Sequence, residues 1–211
     1  MGKNRALISA ATVLVLSCIA VPVLARWPRQ KVLARHEYPS PDRTLTGAVV
    51  SLQRLSSYGT SPSRVEISNS SGRPLAIRDY TAYPTGGCTV DKAAWTADSQ
   101  FFVYQARSSG GHSPWHTPIF FYSRNRHQFY SLDHALEALG QGPGSITGGM
   151  KLQAPCTLVT KGRYYGKSRK GLQTSVEPGD KSGEQTLTID LRWLEPRLTR
   201  LDRDTLTQSM K

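Results

Sequence analysis

The stretch WTADSQFFVYQARSSGGHSPWHTPIFFYSRNRHQFYSLD, Trp95 to Asp133, carries the strongest pattern in the chain. Side chains alternate along extended backbone, so Phe101, Val103 and Gln105 face one way and Phe102, Tyr104 and Ala106 the other. Both faces are largely apolar, which suits a strand covered on each side rather than a solvated edge. A Ser-Ser-Gly-Gly connection leads to a second run, Ile119 to Ser123, and the turn Arg124-Asn125-Arg126 to a third, Gln128 to Leu132. Three strands joined in this way form an antiparallel meander. In front of them, Asp98 is placed to accept a hydrogen bond from the backbone two residues on and close a turn.

Trp95-Thr96-Ala97-Asp98-Ser99 with the following strand Phe101 to Tyr104 resembles the blade signature of WD40-like and TolB-type β-propellers. In that family the tryptophan packs between blades and the aspartate ties the turn, so the resemblance implies those roles for Trp95 and Asp98. It covers roughly forty residues and occurs once, whereas a propeller typically needs four or more such units. It therefore implies a blade-like meander, and it brings no functional residue with it.

The rest of the chain extends a β pattern. Leu45 to Leu52 reads as a strand, and Arg64 to Ser68 pairs with Leu75 to Tyr80 across the turn Asn69-Ser70-Ser71-Gly72. Asp133 to Leu139 reads as a short helix with Asp133 as its N-cap, ended by Gly140. Residues 142–149 read as a glycine-rich loop, and Met150 to Leu152 and Thr157 to Thr160 as short strands. Glu184 to Trp193 alternates as the last strand, ended by Pro196. The expectation is one mainly β domain over 44–194: an antiparallel meander or sandwich, or a partial propeller-like sheet, with one short helix. A Pro-containing linker over 26–43 precedes it and a polar tail over 195–211 follows.

The N-terminus reads as an export signal: Lys3 and Arg5, the apolar run Ala6 to Ala20, Pro22, then Val23-Leu24-Ala25 before a cut. Uncut, Ala6 to Ala25 is long enough to anchor the chain in a bilayer. Val15-Leu16-Ser17-Cys18 also loosely resembles a bacterial lipobox, in which Cys18 would be lipidated. The expected location is therefore periplasmic or secreted, or on the membrane. Cleavage lowers the net charge from +12 to +10 by removing Lys3 and Arg5, and the chain stays basic. For an exported protein that balance points to anionic envelope components, or another envelope protein, before nucleic acid. It equally suits basic side chains that merely solvate the surface. In an oxidising compartment Cys88 and Cys156 are the available disulfide pair, and closing that loop would contribute about 4 kcal/mol. Two buried free thiols are the alternative.

Two segments stand out as candidate ligand sites. In Gly110-Gly111-His112-Ser113-Pro114-Trp115-His116 the histidines stand four apart, yet Pro114 and the glycines make this a loop, and no glutamate follows His112 as a zinc-protease helix requires. His112 and His116 could hold a transition metal together with His127, His134 or Asp133. A structural loop anchored by Trp115 is the plainer reading. The second segment, Lys161 to Lys170, KGRYYGKSRK, interleaves Lys161 and Arg163 with Tyr164 and Tyr165, as in surfaces that grip anionic chains. The tyrosines equally suit packing on the sheet. No Gly-x-Ser-x-Gly elbow, Ser-x-x-Lys pair, carboxylate dyad or phosphate loop occurs. The pattern favours a non-catalytic binding or structural module of the envelope, with a metal-dependent enzyme built on His112 and His116 as the alternative.

Overall fold

A computed structural model describes residues 30–53, 61–80, 88–108, 117–137, 145–163, 168, 170–176 and 183–198. Among these described residues twelve strands form three antiparallel four-stranded sheets. The N-terminal sheet is a meander of β1 (Val32–Pro39), β2 (Leu45–Leu52), β3 (Ser63–Asn69) and β4 (Pro74–Asp79). The central sheet is a second meander, of β5 (Cys88–Trp95), β6 (Phe101–Ser108), β7 (Ile119–Ser123) and β8 (Gln128–Ser131). The C-terminal sheet contains β9 (Ser145–Gln153), β10 (Thr157–Arg163), β11 (Leu172–Ser175) and β12 (Gln185–Asp190), in the order β11-β12-β10-β9.

The two-faced apolar pattern of β6 places the central sheet in the middle. Phe101, Val103, Ile119 and Phe121 pack against Leu158, Leu172, Leu187 and Ile189 of the C-terminal sheet. Phe102, Tyr104, Phe120 and Tyr122, on the opposite face, pack against Val49, Val65 and Ile67 of the N-terminal sheet. The molecule is thus a three-layer stack with two cores. Where β2 crosses Phe102 only a glycine fits, since a Cβ on Gly47 would lie 2.6 Å from the ring.

That layering overturns the expected disulfide. Cys88 is buried in the core shared with the N-terminal sheet and Cys156 in the core shared with the C-terminal sheet, so the central sheet separates them and both are free thiols. Burial pushes the Cys88 thiol up and that of Cys156 up to about 11.

Residues 32–39, expected within a linker, form edge strand β1, so the domain begins earlier than residue 44. By register Arg35 and Arg64 flank Val50 while Glu37 and Glu66 flank Ala48. Ion pairs Arg35–Glu66 (2.6 Å), Arg64–Glu66 (2.7 Å) and Arg35–Glu37 (2.8 Å) lie on the outward side of that strand. The charges that made this segment look solvated are the cover of an apolar strand, with stems over Ala48 and Val50. Part of the expected glycine-rich loop, 145–149, likewise belongs to β9, with a register irregularity against β10 and Gly149 at φ 47°.

The last strand stops at Asp190 instead of running to Trp193. Asp190 Oδ1 accepts from the N–H groups of Arg192 (2.9 Å) and Trp193 (3.3 Å), which caps a helix, α2 (191–198). Leu191, Leu194 and Leu198 then share its buried side, and Pro196 lies inside it. The other helix, α1 (Leu132–Leu136), takes Ser131 rather than Asp133 as N-cap residue, and Asp133 sits in its first turn. Among the described residues no helix is long and apolar enough to cross a membrane. The expected signal segment 1–25 and the tail beyond residue 198 lie outside the described residues.

Candidate functional site

Strand registers sort the connections onto two ends of the stack. At one end are the short turns 40–44, 70–73, 96–100, 124–127 and 154–156, with the start of α2. At the other, the strand ends Leu52 and Ser63, Asp79 and Cys88, Ser108 and Ile119, and Ser175 and Gln185 bracket the longer connections. The passage from β8 through α1 to β9 also starts and ends there.

The turn end is a polar clasp centred on 96–100. Asp98 Oδ1 accepts from the Gln100 N–H (3.1 Å), as the sequence implied, and also from the Thr96 hydroxyl (2.6 Å). Its other oxygen accepts from Arg192 (2.8 Å), and its own N–H donates to the Pro155 carbonyl (3.3 Å), tying the central sheet to the C-terminal one. Ser99, at φ 60°, accepts from the Asp42 N–H (3.1 Å), and Arg124 pairs with Asp42 (2.5 Å), tying it to the N-terminal one. Trp95 Nε1 donates to the Tyr38 carbonyl (2.8 Å) with its ring buried between those two sheets.

Burial draws the Asp98 carboxyl upward, but the Thr96, Gln100 and Arg192 donors outweigh it and hold the group below its ordinary range. Bonds from Ser40 and Arg124 hold Asp42 well below its ordinary range. Ser123 and Asn125 both donate to Glu195. These carboxylates are committed to holding the sheets together, and the depressed proton affinity of Asp98 and Asp42 makes those two poor bases.

The loop end has a rigid floor. Tyr80 and Tyr104 share a hydroxyl–hydroxyl bond of 2.7 Å beneath it, and burial pushes both phenols up. Thr89 donates to the Ser61 carbonyl (2.8 Å), Thr117 N–H to the Ile146 carbonyl (2.9 Å) and Met150 N–H to Gln105 Oε1 (3.1 Å), so all three sheets are joined there too.

The sequence-derived candidates divide between described and undescribed residues. Lys161 and Arg163 are exposed on β10, on the face opposite buried Leu158 and Thr160, and Arg163 ends the strand at the loop end. His112, Trp115, His116, Tyr164 and Tyr165 lie outside the described residues; Ser108 and Thr117, which flank the histidine segment, stand at the loop end, whereas the tyrosine segment leaves Arg163 there and is followed by Ser168, bonded to Thr174 of β11, and by Gly171 at the turn end. His127 does not join them. It sits in the 124–127 turn at the opposite end, bonded to the Tyr122 hydroxyl (3.1 Å), and β6 alone separates the ends by roughly 25 Å. His134 is exposed on α1. Among the described residues no group of three His, Cys, Asp or Glu side chains could hold a metal ion.

Sequence reasoning missed Val32, Leu33 and Val176, exposed apolar residues at the loop end. The signal was present in Lys31-Val32-Leu33, an apolar pair that a solvated linker does not require. No family model, curated protein or solved structure matches this chain.

Proposed function

We propose that this chain is a non-catalytic binding or structural module of the cell envelope that meets its partner with the loop end. The observation that carries this reading is the asymmetry of the stack. Short turns whose polar groups bond one another occupy one end. The Gly-His-Pro-Trp segment joins the scaffold at the other by both of its ends, and the Lys161 to Lys170 run leaves the scaffold there at Arg163. Long connections on a rigid sheet scaffold are where binding residues concentrate. An export leader and a basic balance suit an anionic envelope component as the partner. The blade-like Trp95-to-Ser99 motif then has a scaffolding role, with Trp95 and Asp98 locking layers rather than touching ligand.

The test compares the full chain with two sets of variants for retention on isolated envelope fractions. Trp115→Ala with Lys161→Glu and Arg163→Glu should reduce retention at least about tenfold, the effect of losing roughly 1.4 kcal/mol. Arg73→Ala with Arg126→Ala, at the turn end, should leave it unchanged. Equal loss from both sets would refute the reading. So would a stoichiometric transition metal that disappears in a His112→Ala, His116→Ala variant, which would move the chain to the enzyme class.

A further inference from the structure

A sheet edge offers unpaired backbone groups to any strand that can lie beside it, and folded chains blunt such edges with charge, bulges or short length. The edge strands of the three sheets are β1, β4, β5, β8, β9 and β11. The interior of β1 carries the ion-paired Arg35 and Glu37. β5 has a register irregularity after Val90, whose N–H bonds to Ser63 Oγ (3.0 Å), with exposed Asp91 and Lys92 next to it. β8 is four residues long and passes directly into α1. β9 gives its Met150 N–H to Gln105 and its Ile146 carbonyl to Thr117. β11 is also four residues long, and Ser168 Oγ takes its Thr174 N–H (3.1 Å).

β4 is blunted only at its start. Pro74 has no N–H and a register irregularity falls beside it, after which Ala76 to Asp79 pair regularly with Ile67 to Arg64. The Tyr80 N–H donates to the Ser63 carbonyl (3.2 Å), the next pair of that ladder. Bonded and unbonded pairs alternate in an antiparallel ladder, so Arg78 and Ala76 also turn their backbone groups to β3, and Ile77 turns its N–H and C=O to the open edge. Among the described residues β4 pairs with β3 alone. Ile77 is 55% exposed and Leu75 40%, so the interior of this edge presents aliphatic side chains where that of β1 presents charge.

We infer that β4 pairs antiparallel with β4 of a second copy of this chain, about a two-fold axis at Ile77. Each Ile77 N–H then meets the other copy's Ile77 carbonyl, and the two side chains pack on one another with Leu75 beside them. The charges of the segment favour a second copy as the occupant. It runs Arg73-Pro74-Leu75-Ala76-Ile77-Arg78-Asp79, with a cation before the exposed aliphatics and an anion after them, so reversal brings Arg73 of each copy toward Asp79 of the other. A parallel copy would set like charges together. The contact is isologous and closes at two copies. Both copies show the same face, so the axis is normal to the sheet and the two loop ends point in opposite directions, clear of the contact. This surface is additional to the loop end and does not rest on it.

The test uses the full chain with Cys18→Ser as background, so any association through the apolar run Ala6 to Ala25 is common to every variant. In Ile77→Cys the two introduced thiols would stand on Cα atoms about 5.5 Å apart, within disulfide reach. In Asp79→Cys the Cα atoms would be roughly 14 Å apart and out of reach. Mild oxidation should therefore give a covalent dimer at position 77 in at least about tenfold higher yield than at position 79. Ile77→Lys, an exposed change with little effect on the fold, should raise the dimer dissociation constant in sedimentation equilibrium at least about tenfold. Leu33→Lys, on the other edge strand of the same sheet, should leave it unchanged. Equal cross-linking at 77 and 79, or an equal response to the two lysines, would overturn the inference. So would a chain that stays monomeric at about 1 mM, the weak end of the affinity scale.

Discussion

The two ends of this stack use the same polar residue types for opposite purposes. At the turn end Asp42, Asp98, Arg124, Arg192 and Glu195 are bonded to one another or to Ser and Asn side chains across sheet boundaries, with distances such as 2.5 Å for Arg124–Asp42 and 2.8 Å for Arg192–Asp98. At the loop end the sheets are joined by backbone and buried side chains below the surface, and exposed cations and apolar groups occupy the rim. The difference teaches that charge density alone does not mark a functional surface in this protein. What separates the ends is whether ion pairs bridge sheets: Arg124–Asp42 and Arg192–Asp98 do so at the turn end, whereas the loop-end pair Arg107–Asp91 lies within the central sheet.

Large effects should therefore follow changes at the turn end. Trp95→Ala empties a buried site between two sheets and removes the donor to Tyr38, and should cost about 3–5 kcal/mol in denaturant unfolding. The matched change Trp115→Ala should cost less than about 1 kcal/mol. Equal costs would make Trp115 a packing anchor and break the contrast.

Asp98→Ala should come next, at about 2–3 kcal/mol, because it strands the Thr96 hydroxyl, the Gln100 N–H and the Arg192 guanidinium. Its pH signature is defined. The folded-state proton affinity of Asp98 lies below the ordinary 3.8, so its contribution is complete above that pH and is lost as pH falls below it. Acid unfolding below about pH 4 should accordingly be shallower in Asp98→Asn than in the wild type. An identical acid limb in both would show that the clasp does not bear on stability.

Reducing agent should leave the melting temperature unchanged, since Cys88 and Cys156 face different cores. A drop on reduction would require a bridge through the central sheet and contradict the layering. The smallest effect should come from doubling the connection 138–144 with Gly and Ser, about 0.6 kcal/mol of added closure entropy. The same insertion after Ala97 should exceed the cost of Asp98→Ala, because it displaces the whole clasp.

Much of the scaffold was legible in the sequence. Period-two alternation placed β2, β3, β4 and the β6–β8 meander, and the apolar faces of Phe101 to Ala106 implied cover on both sides. The Asp98 turn bond was legible because it is local. Elements were lost where a residue's ordinary preference is reversed by a neighbour distant in sequence. Arg35 and Glu37 read as solvated until Glu66 and the apolar β2 are placed beside them. Residues 145–149 read as loop until β10 supplies a ladder to their backbone. The cysteine pairing failed for a related reason: parity and compartment say nothing about which face of a sheet each thiol occupies. Of the candidate site, Lys161 and Arg163 were legible as a charge run, whereas Val32, Leu33 and Val176 became visible only when the strand ends were assigned to one end of the stack.

Amide hydrogen exchange of the free chain tests the central contrast most directly. If the turn end locks the layers, the N–H groups of Thr96, Asp98, Ser99, Arg124 and Asp190, each bonded to a backbone carbonyl there, should exchange only through global unfolding, with the same denaturant dependence as the β6 core. Exchange of these amides by local opening, ahead of strands β6 and β7, would contradict the account and leave both ends equally free to act as the contact surface.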